Sequence, residues 1–179
     1  GKQILNGLEA SKLVKENSTI PVIWGGVHAS LLPCQTLENK YIDFVVVGEG
    51  EETCLELVSA LKTNSPLKNI KGLGYKENNK IFLNPQREFI DLDRLLETPY
   101  YLVDIEKYIE KKSFATGILG RDIAFYSSRG CPHRCGFCYN KEFNKRKWRG
   151  FSTERVVEDI KKLIKNYQIT ALNVEDDEF

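Results

Sequence analysis

Three cysteines, Cys131, Cys135 and Cys138, fall close together in a C-x3-C-x2-C spacing. The stretch around them, Ala124 to Asn140, reads Ala-Phe-Tyr-Ser-Ser-Arg-Gly-Cys-Pro-His-Arg-Cys-Gly-Phe-Cys-Tyr-Asn. A short apolar run, Ile123 to Tyr126, leads in and reads as a buried strand. Arg129-Gly130 ends that strand, and Gly130, Pro132 and Gly136 keep the following loop from becoming helix. Three thiols are thus gathered on one tight loop at a strand end. Soft thiolates select iron–sulfur clusters, zinc or copper(I). A closed structural zinc site takes four protein ligands. Here that set is the three cysteines and His133, which stands two residues from each neighbouring cysteine, a strained reach to one tetrahedral ion. Three cysteines on a four-iron cluster instead leave one iron without a protein ligand and open to a substrate or cofactor.

This loop resembles the signature of the radical S-adenosylmethionine (SAM) enzymes. The features that carry the resemblance are the cysteine spacing, the aromatic Phe137 before the third cysteine, and Ser-Arg-Gly-Cys-Pro at the strand end. The resemblance implies a [4Fe-4S] cluster on Cys131, Cys135 and Cys138, with S-adenosylmethionine on the open iron and Phe137 near its adenine. It also implies reductive cleavage of S-adenosylmethionine to a 5′-deoxyadenosyl radical, fed by an external electron donor of flavodoxin or ferredoxin type.

Composition sets the frame for that chemistry. The chain has 179 residues, 41% hydrophobic and 28% charged, which suits a globular protein of one or two domains. A net charge of +1 creates no global field for nucleic acid or a membrane surface. No apolar run is long enough to span a bilayer, and no signal-peptide pattern opens the chain. Five cysteines, three of them clustered, argue against a secreted disulfide framework and for a reducing, cytoplasmic setting. The chain contains no methionine, and the strand-like residues Leu172 to Phe179 end abruptly. Both ends therefore read as cut from a longer protein, and such a piece is expected to show no turnover alone.

From the N-terminus, residues 1–16 read as a helix with Ile4, Leu5, Leu8, Leu13 and Val14 as its apolar set. Ile20 to Trp24 reads as a buried parallel strand ending in Gly25-Gly26. Val27 to Leu32 follows as a short helix stopped by Pro33. Ile42 to Val47 is a second strand, ended by Gly48-Glu49-Gly50. Glu51 and Glu52 then open a helix in which Cys54, Leu57, Val58 and Leu61 share a face. Cys54 reads as a small core residue and Cys34 as structural. This α-β-α-β-α order predicts a doubly wound parallel sheet. Pro21 to Pro33, together with Asp43 to Glu51, resembles the later half of the cobalamin-binding domain that precedes many radical SAM cores. The resemblance implies that Gly25 and Gly26, with Ser30 nearby, contact the cobalamin nucleotide tail. The Asp-x-His-x-x-Gly lower-ligand motif of that family is absent, and His28 reads as a loop histidine. A tight strand–helix turn alone also accounts for the two glycines.

Residues 63–120 read as a connector. Within it, Gly72–Tyr75 and Lys80–Leu83 pair as a hairpin across Glu77-Asn78-Asn79. Its aromatics Tyr100, Tyr101, Tyr108 and Phe114 are expected to cover a barrel or domain seam. Lys141 to Gly150 reads as a solvated basic loop, and the radical SAM resemblance implies that Trp148 and Arg149 within it are scaffold. Ser152 or Thr153 caps a helix whose Val156, Val157, Ile160, Leu163, Ile164 and Tyr167 recur at helical spacing. Ile169 to Val174 is the next strand, followed by Glu175, Asp176, Asp177 and Glu178. The acidic run and the cysteine loop then occupy successive strand ends facing one pocket. The radical SAM resemblance makes Asp176 or Asp177 the candidate for the SAM amino group; a polar strand cap is the plainer alternative.

The combined expectation is an α/β chain: a partial Rossmann-like parallel-sheet domain (1–62), a connector with a β-hairpin (63–120), and the first βαβ unit of a radical SAM (β/α) barrel (121–179). The implied function is radical cleavage of S-adenosylmethionine, or cobalamin-dependent methyl transfer or cyclisation, on a small-molecule substrate. A methylthiotransferase-type radical SAM protein and a non-enzymatic zinc-binding module are the alternatives.

Overall fold

A computed structural model describes residues 1–112, 117 and 119–178, in two units, Gly1–Phe89 and Ile90–Phe179. In the first unit, helix α1 (Lys2–Asn17) precedes strand β1 (Ile23–Trp24), and α2 (Gly26–Leu31) and α3 (Pro33–Glu38) follow. Strand β2 (Phe44–Val46), helix α4 (Glu51–Thr63) and the hairpin β3 (Leu73–Glu77) and β4 (Lys80–Leu83) complete it. The sheet order is β1-β2-β3-β4. Only β1 and β2 are parallel, with Ile23 opposite Phe44; the hairpin adds two antiparallel strands, so the sheet is mixed. Asn78 and Asn79 turn the hairpin in the left-handed region, at φ 50° and 58°.

Several local expectations for this unit change. The inward face of α1 carries Ile4, Gly7, Leu8 and Ser11, while Leu5, Leu13 and Val14 are exposed. Gly7 is small enough for the Trp24 ring to lie against it, and Trp24 Nε1 donates to Ser11 Oγ at 3.0 Å. Strand β1 is an edge strand among the described residues, so Ile20 and Ile23 are exposed rather than buried. Pro33 does not end the helical region. It opens α3 at a first-turn position, where its missing N–H costs nothing, after Leu32 breaks from helical geometry.

Ala29, Leu37, Ile42 and Val45 form one core cluster, and Leu57, Ala60, Ile70, Leu73 and Tyr75 another. Helix α4 buries Thr53, Leu57 and Ala60, whereas Val58 and Leu61 of the expected face are exposed. Cys54 is half-buried, and burial, then the charge of Glu51, raises its thiol pKa. Cys34 is exposed, not packed. Arg87, just after the hairpin, reaches back to α4. It pairs with Glu52 at 2.9 Å and Glu56 at 2.5 Å and donates to Thr53 Oγ1 at 3.1 Å.

The second unit begins with three 3-10 turns, Leu92–Arg94, Tyr100–Leu102 and Ile105–Lys107. Its strands are β5 (Glu110–Lys112), β6 (Leu119–Phe125), β7 (Ser128–Arg129), β8 (Arg149–Gly150) and β9 (Ala171–Val174). Helix α5 (Asn140–Phe143) follows the cysteines, and α6 (Thr153–Tyr167) links β8 to β9. Strands β6 and β9 are parallel neighbours joined through α6, a βαβ unit, with β5 antiparallel on the other edge of β6. With the separate antiparallel pair β7–β8, the described residues of this unit form two small sheets and not a closed barrel.

Ser152 caps α6, accepting from the Arg155 N–H at 3.3 Å. Leu163 is buried with Ile123, Phe125, Ile169, Ile105 and Ile109, and Val156, Ile160 and Tyr167 pack against them. Val157 and Ile164 lie on the open side of the helix. Ile123 and Phe125 are buried while Ala124 and Tyr126 are exposed, so β6 is a half-buried strand, not a fully buried one. The chain before β5 straps α6: Asp93 accepts from the Ser152 N–H at 2.9 Å, and Arg155 donates to the Leu95 carbonyl at 2.9 Å. Tyr100 packs edge-on against Tyr167. Tyr101 and Tyr108 are exposed, and Phe114 lies outside the described residues. No helix among the described residues is long and apolar enough to cross a membrane.

Candidate metal and cofactor site

The parallel register of β6 and β9 places Phe125 opposite Val174. Beyond that pair the two chains keep company. The Glu175 N–H donates to the Phe125 carbonyl at 2.9 Å, and each acid of the run from Glu175 to Glu178 then meets a group of the cysteine loop in sequence order. Tyr126 Oη donates to Glu175 at 2.7 Å, a bond that, with burial, raises the phenol pKa. Asp176 accepts from the Ser127 N–H at 2.8 Å, the Ser127 hydroxyl at 2.5 Å and the Ser128 N–H at 3.1 Å. Burial alone would raise the Asp176 pKa, but these donors together outweigh it and hold the carboxyl below its ordinary range.

One step further, Asp177 accepts from the Gly130 N–H at 3.2 Å and from Tyr139 Oη at 3.4 Å. Burial, then the Asp177 charge, raises the Tyr139 pKa. Glu178 comes last, with Oε2 at 3.7 Å from Cys131 Sγ and 3.4 Å from His133 Nε2. Its carbonyl accepts from Trp148 Nε1 at 3.1 Å and from Ser128 Oγ at 3.3 Å.

Gly130 makes the bend into the loop possible. Its φ is +87°, and a Cβ there would stand 2.1 Å from the Lys147 carbonyl oxygen. The left-handed backbone and the close approach both demand glycine. Asn140 and Asn144 are buried beneath the loop and hydrogen-bond to one another. The basic stretch is largely exposed, turned by Lys145 and Arg146 in the left-handed region. Arg149 donates to the Ile90 carbonyl at 3.1 Å and pairs with Arg129 across β7–β8, and Trp148 holds Glu178, so both serve as scaffold for the loop.

The three cysteines are free thiols; Cys131 and Cys138 are half-buried and Cys135 is exposed. Such a set suits a cluster, in which each thiolate binds a different iron. Phe137 is 96% exposed and covers nothing among the described residues. The acid most committed to the loop is Asp176, while Asp177 is the more exposed. Sequence reasoning placed Glu178 in the acidic run but gave it no partner, and it missed the role of Ser127 and Ser128. The signal available was the parallel register, which sends residues after Val174 alongside those after Phe125.

In the first unit, Gly25 caps α2 and Gly26 has φ +80°, with open space where a Cβ would project. Ser30 is already engaged: its hydroxyl donates to the Gly26 carbonyl at 2.8 Å and accepts from the Gly48 N–H at 2.9 Å. It braces the two strand-end loops.

The chain matches no family model. An uncharacterized methyltransferase of Pyrococcus horikoshii is 39% identical over 173 residues, covering 94% of this chain and 36% of the relative. The anaerobic magnesium-protoporphyrin IX monomethyl ester cyclase of Synechocystis is 30% identical over 158 residues, covering 87% of this chain and 30% of the cyclase. Among solved structures, the cobalamin-dependent S-adenosylmethionine radical enzyme OxsB, with aqua-cobalamin and S-adenosylmethionine bound, superposes with a TM-score of 0.68 at 26% identity. That match spans 99% of this chain and 24% of OxsB. The chain spans about a third of the length of the curated relatives it matches.

Proposed function

From a chain that belongs to the radical SAM enzymes with a cobalamin-binding-type domain, we infer a part in S-adenosylmethionine-dependent radical or methyl-transfer chemistry on a small molecule. The observation that carries this reading is the three-thiol loop fastened residue by residue to the acidic end of β9. Cys131, Cys135 and Cys138 would hold a [4Fe-4S] cluster and leave one iron for S-adenosylmethionine. When bound, that group supplies the electron that cleaves S-adenosylmethionine, and cobalamin supplies a methyl carrier.

The chain's own residues then have distinct tasks. Asp176 fixes Ser127 and Ser128 and so sets where the loop leaves β6. Asp177 is the better candidate for the SAM amino group, because among the described residues its Oδ1 accepts a long bond from Tyr139 and no other. Phe137, fully exposed, is free to cover an adenine. Gly25 and Gly26 offer backbone without side chains to a cobalamin tail, with Ser30 keeping the turn in shape. Three free thiols suit a reducing compartment such as the cytoplasm and an external one-electron donor.

The test is anaerobic reconstitution with iron and sulfide, read by absorbance, EPR and metal analysis, on the wild type and a Cys131/Cys135/Cys138→Ala variant. The expected result is about four irons per chain, lost in the variant. S-adenosylmethionine should perturb the reduced EPR signal. A folded wild-type chain that takes up no iron overturns the reading.

A further inference from the structure

Among the described residues, one group of three potential ligands lies with its ligand atoms within 4.8 Å of one another: Cys131, His133 and Glu178. We propose that these three residues form a second, mononuclear site that binds a zinc-type divalent ion when no cluster occupies the loop.

The distances support a single ion. Zinc bonds of about 2.3 Å to sulfur and about 2.0–2.2 Å to nitrogen and oxygen give tetrahedral edges of about 3.6 Å for S···O and about 3.4 Å for N···O. The structure has Cys131 Sγ at 3.7 Å and His133 Nε2 at 3.4 Å from Glu178 Oε2. Two edges of the tetrahedron are therefore already formed. The donor set of one thiolate, one imidazole and one carboxylate is a borderline-soft mixture that zinc accepts, and its two negative charges neutralise the ion. The fourth position is left to water.

The backbone on both sides is held. Glu178 is anchored by Trp148 and Ser128 through its carbonyl, and Gly130 is tied to Asp177 immediately before Cys131. Pro132 fixes one backbone angle between Cys131 and His133. His133 and Glu178 are 45 positions apart, and the acid ladder with the Trp148 and Ser128 contacts to the Glu178 carbonyl brings them together.

Cys131 belongs both to this site and to the proposed cluster. Ion and cluster therefore exclude one another, and zinc blocks cluster assembly through His133 and Glu178. The coordination itself does not depend on the cluster reading; the competition does.

The probe is Co2+ titrated anaerobically into the reduced, metal-free chain, read by the thiolate-to-cobalt charge-transfer band and followed by zinc displacement. One Co2+ per chain is expected in the wild type and in Cys135→Ala/Cys138→Ala. Cys131→Ala should abolish the band, and His133→Ala and Glu178→Gln should each weaken binding by on the order of tenfold or more. Binding lost in Cys135→Ala/Cys138→Ala but unchanged in His133→Ala and Glu178→Gln overturns the site, as does no binding by a chain that circular dichroism shows folded.

A second arm reconstitutes the cluster with equimolar zinc present. The wild type should load poorly and His133→Ala normally; equal loading overturns the competition. If neither protein takes up iron even without zinc, the cluster reading fails, and the cobalt titration still decides this site.

Discussion

Ser127 gives both its backbone N–H and its hydroxyl to the Asp176 carboxylate, at 2.8 and 2.5 Å. Two residues at the ends of neighbouring parallel strands are thereby locked before either chain turns away. The cysteine loop starts from this lock, so the position of Cys131 depends on an acid far along the sequence.

Asp176→Asn should loosen the loop. Hydrogen bonds to a charged acceptor contribute about 1.5–3 kcal/mol each at most, and partial exposure brings the net loss here to about 1–2 kcal/mol. The pH dependence follows from the depressed folded-state pKa. The carboxylate's contribution is complete above the ordinary carboxyl range and disappears as pH falls through the folded-state value. Urea unfolding between neutral and acid pH should show the wild type losing stability relative to Asp176→Asn as pH drops. A constant difference at all pH values would remove Asp176 from the account.

Gly130→Ala should be more damaging than its size suggests. The added carbon would sit 2.1 Å from the Lys147 carbonyl, in backbone at φ +87°. Left-handed backbone costs a non-glycine residue about 1–2 kcal/mol, and the clash forces the β7–β8 ladder to shift as well. Thermal unfolding should fall by several degrees, and iron uptake should fall with it. Iron uptake equal to the wild type would mean that the bend is not needed to place the thiols.

The elements of this chain were legible wherever a local period or turn residue decided the matter. Helix α6 followed from its spacing and Ser152, and the hairpin followed from Asn78-Asn79. Most of the failures share a cause, because they depended on a neighbour distant in sequence. Leu5 and Leu13 looked like core until Trp24 took the Gly7 side of α1. Ile23 looked buried, although β1 has a strand on one side only among the described residues. Asp176 and Asp177 do follow the end of β9, where the sequence placed an acidic run. That Asp176 is largely consumed by serines, and that Glu178 reaches His133, required the register of β6 against β9. Pro33 was a different kind of error, since the same residue stops a helix or starts one depending on which side the chain is helical.

Arg87→Met should destabilise the first unit while sparing the cysteine loop's own contacts. The guanidinium is mostly buried, and its two acid partners on α4 are half-exposed. Removing one partner of a fully buried pair costs about 3–5 kcal/mol, so with half-exposed acids about 1–3 kcal/mol is expected. A double-mutant cycle with Glu52→Gln, followed by urea unfolding, isolates the pair. Additive losses would show that the hairpin exit is held by packing and not by this clamp.

Gly26→Val separates the two proposed cofactor sites. Valine is β-branched, and φ +80° strains it regardless of the open space where its side chain would project. That same open space is where a cobalamin tail would lie, so the branched side chain both distorts the turn and fills the approach. Hydroxocobalamin binding, followed by absorbance after gel filtration, should drop by at least about tenfold, about 1.4 kcal/mol. Iron uptake by Cys131, Cys135 and Cys138 should be unchanged. Ser30→Ala is the control for distortion alone: it removes the brace to Gly48 at 2.9 Å while leaving the glycine surface bare. If Ser30→Ala weakens cobalamin binding as much as Gly26→Val, the shape of the turn and not the exposed glycine backbone governs binding. If neither variant changes it, cobalamin does not use this turn.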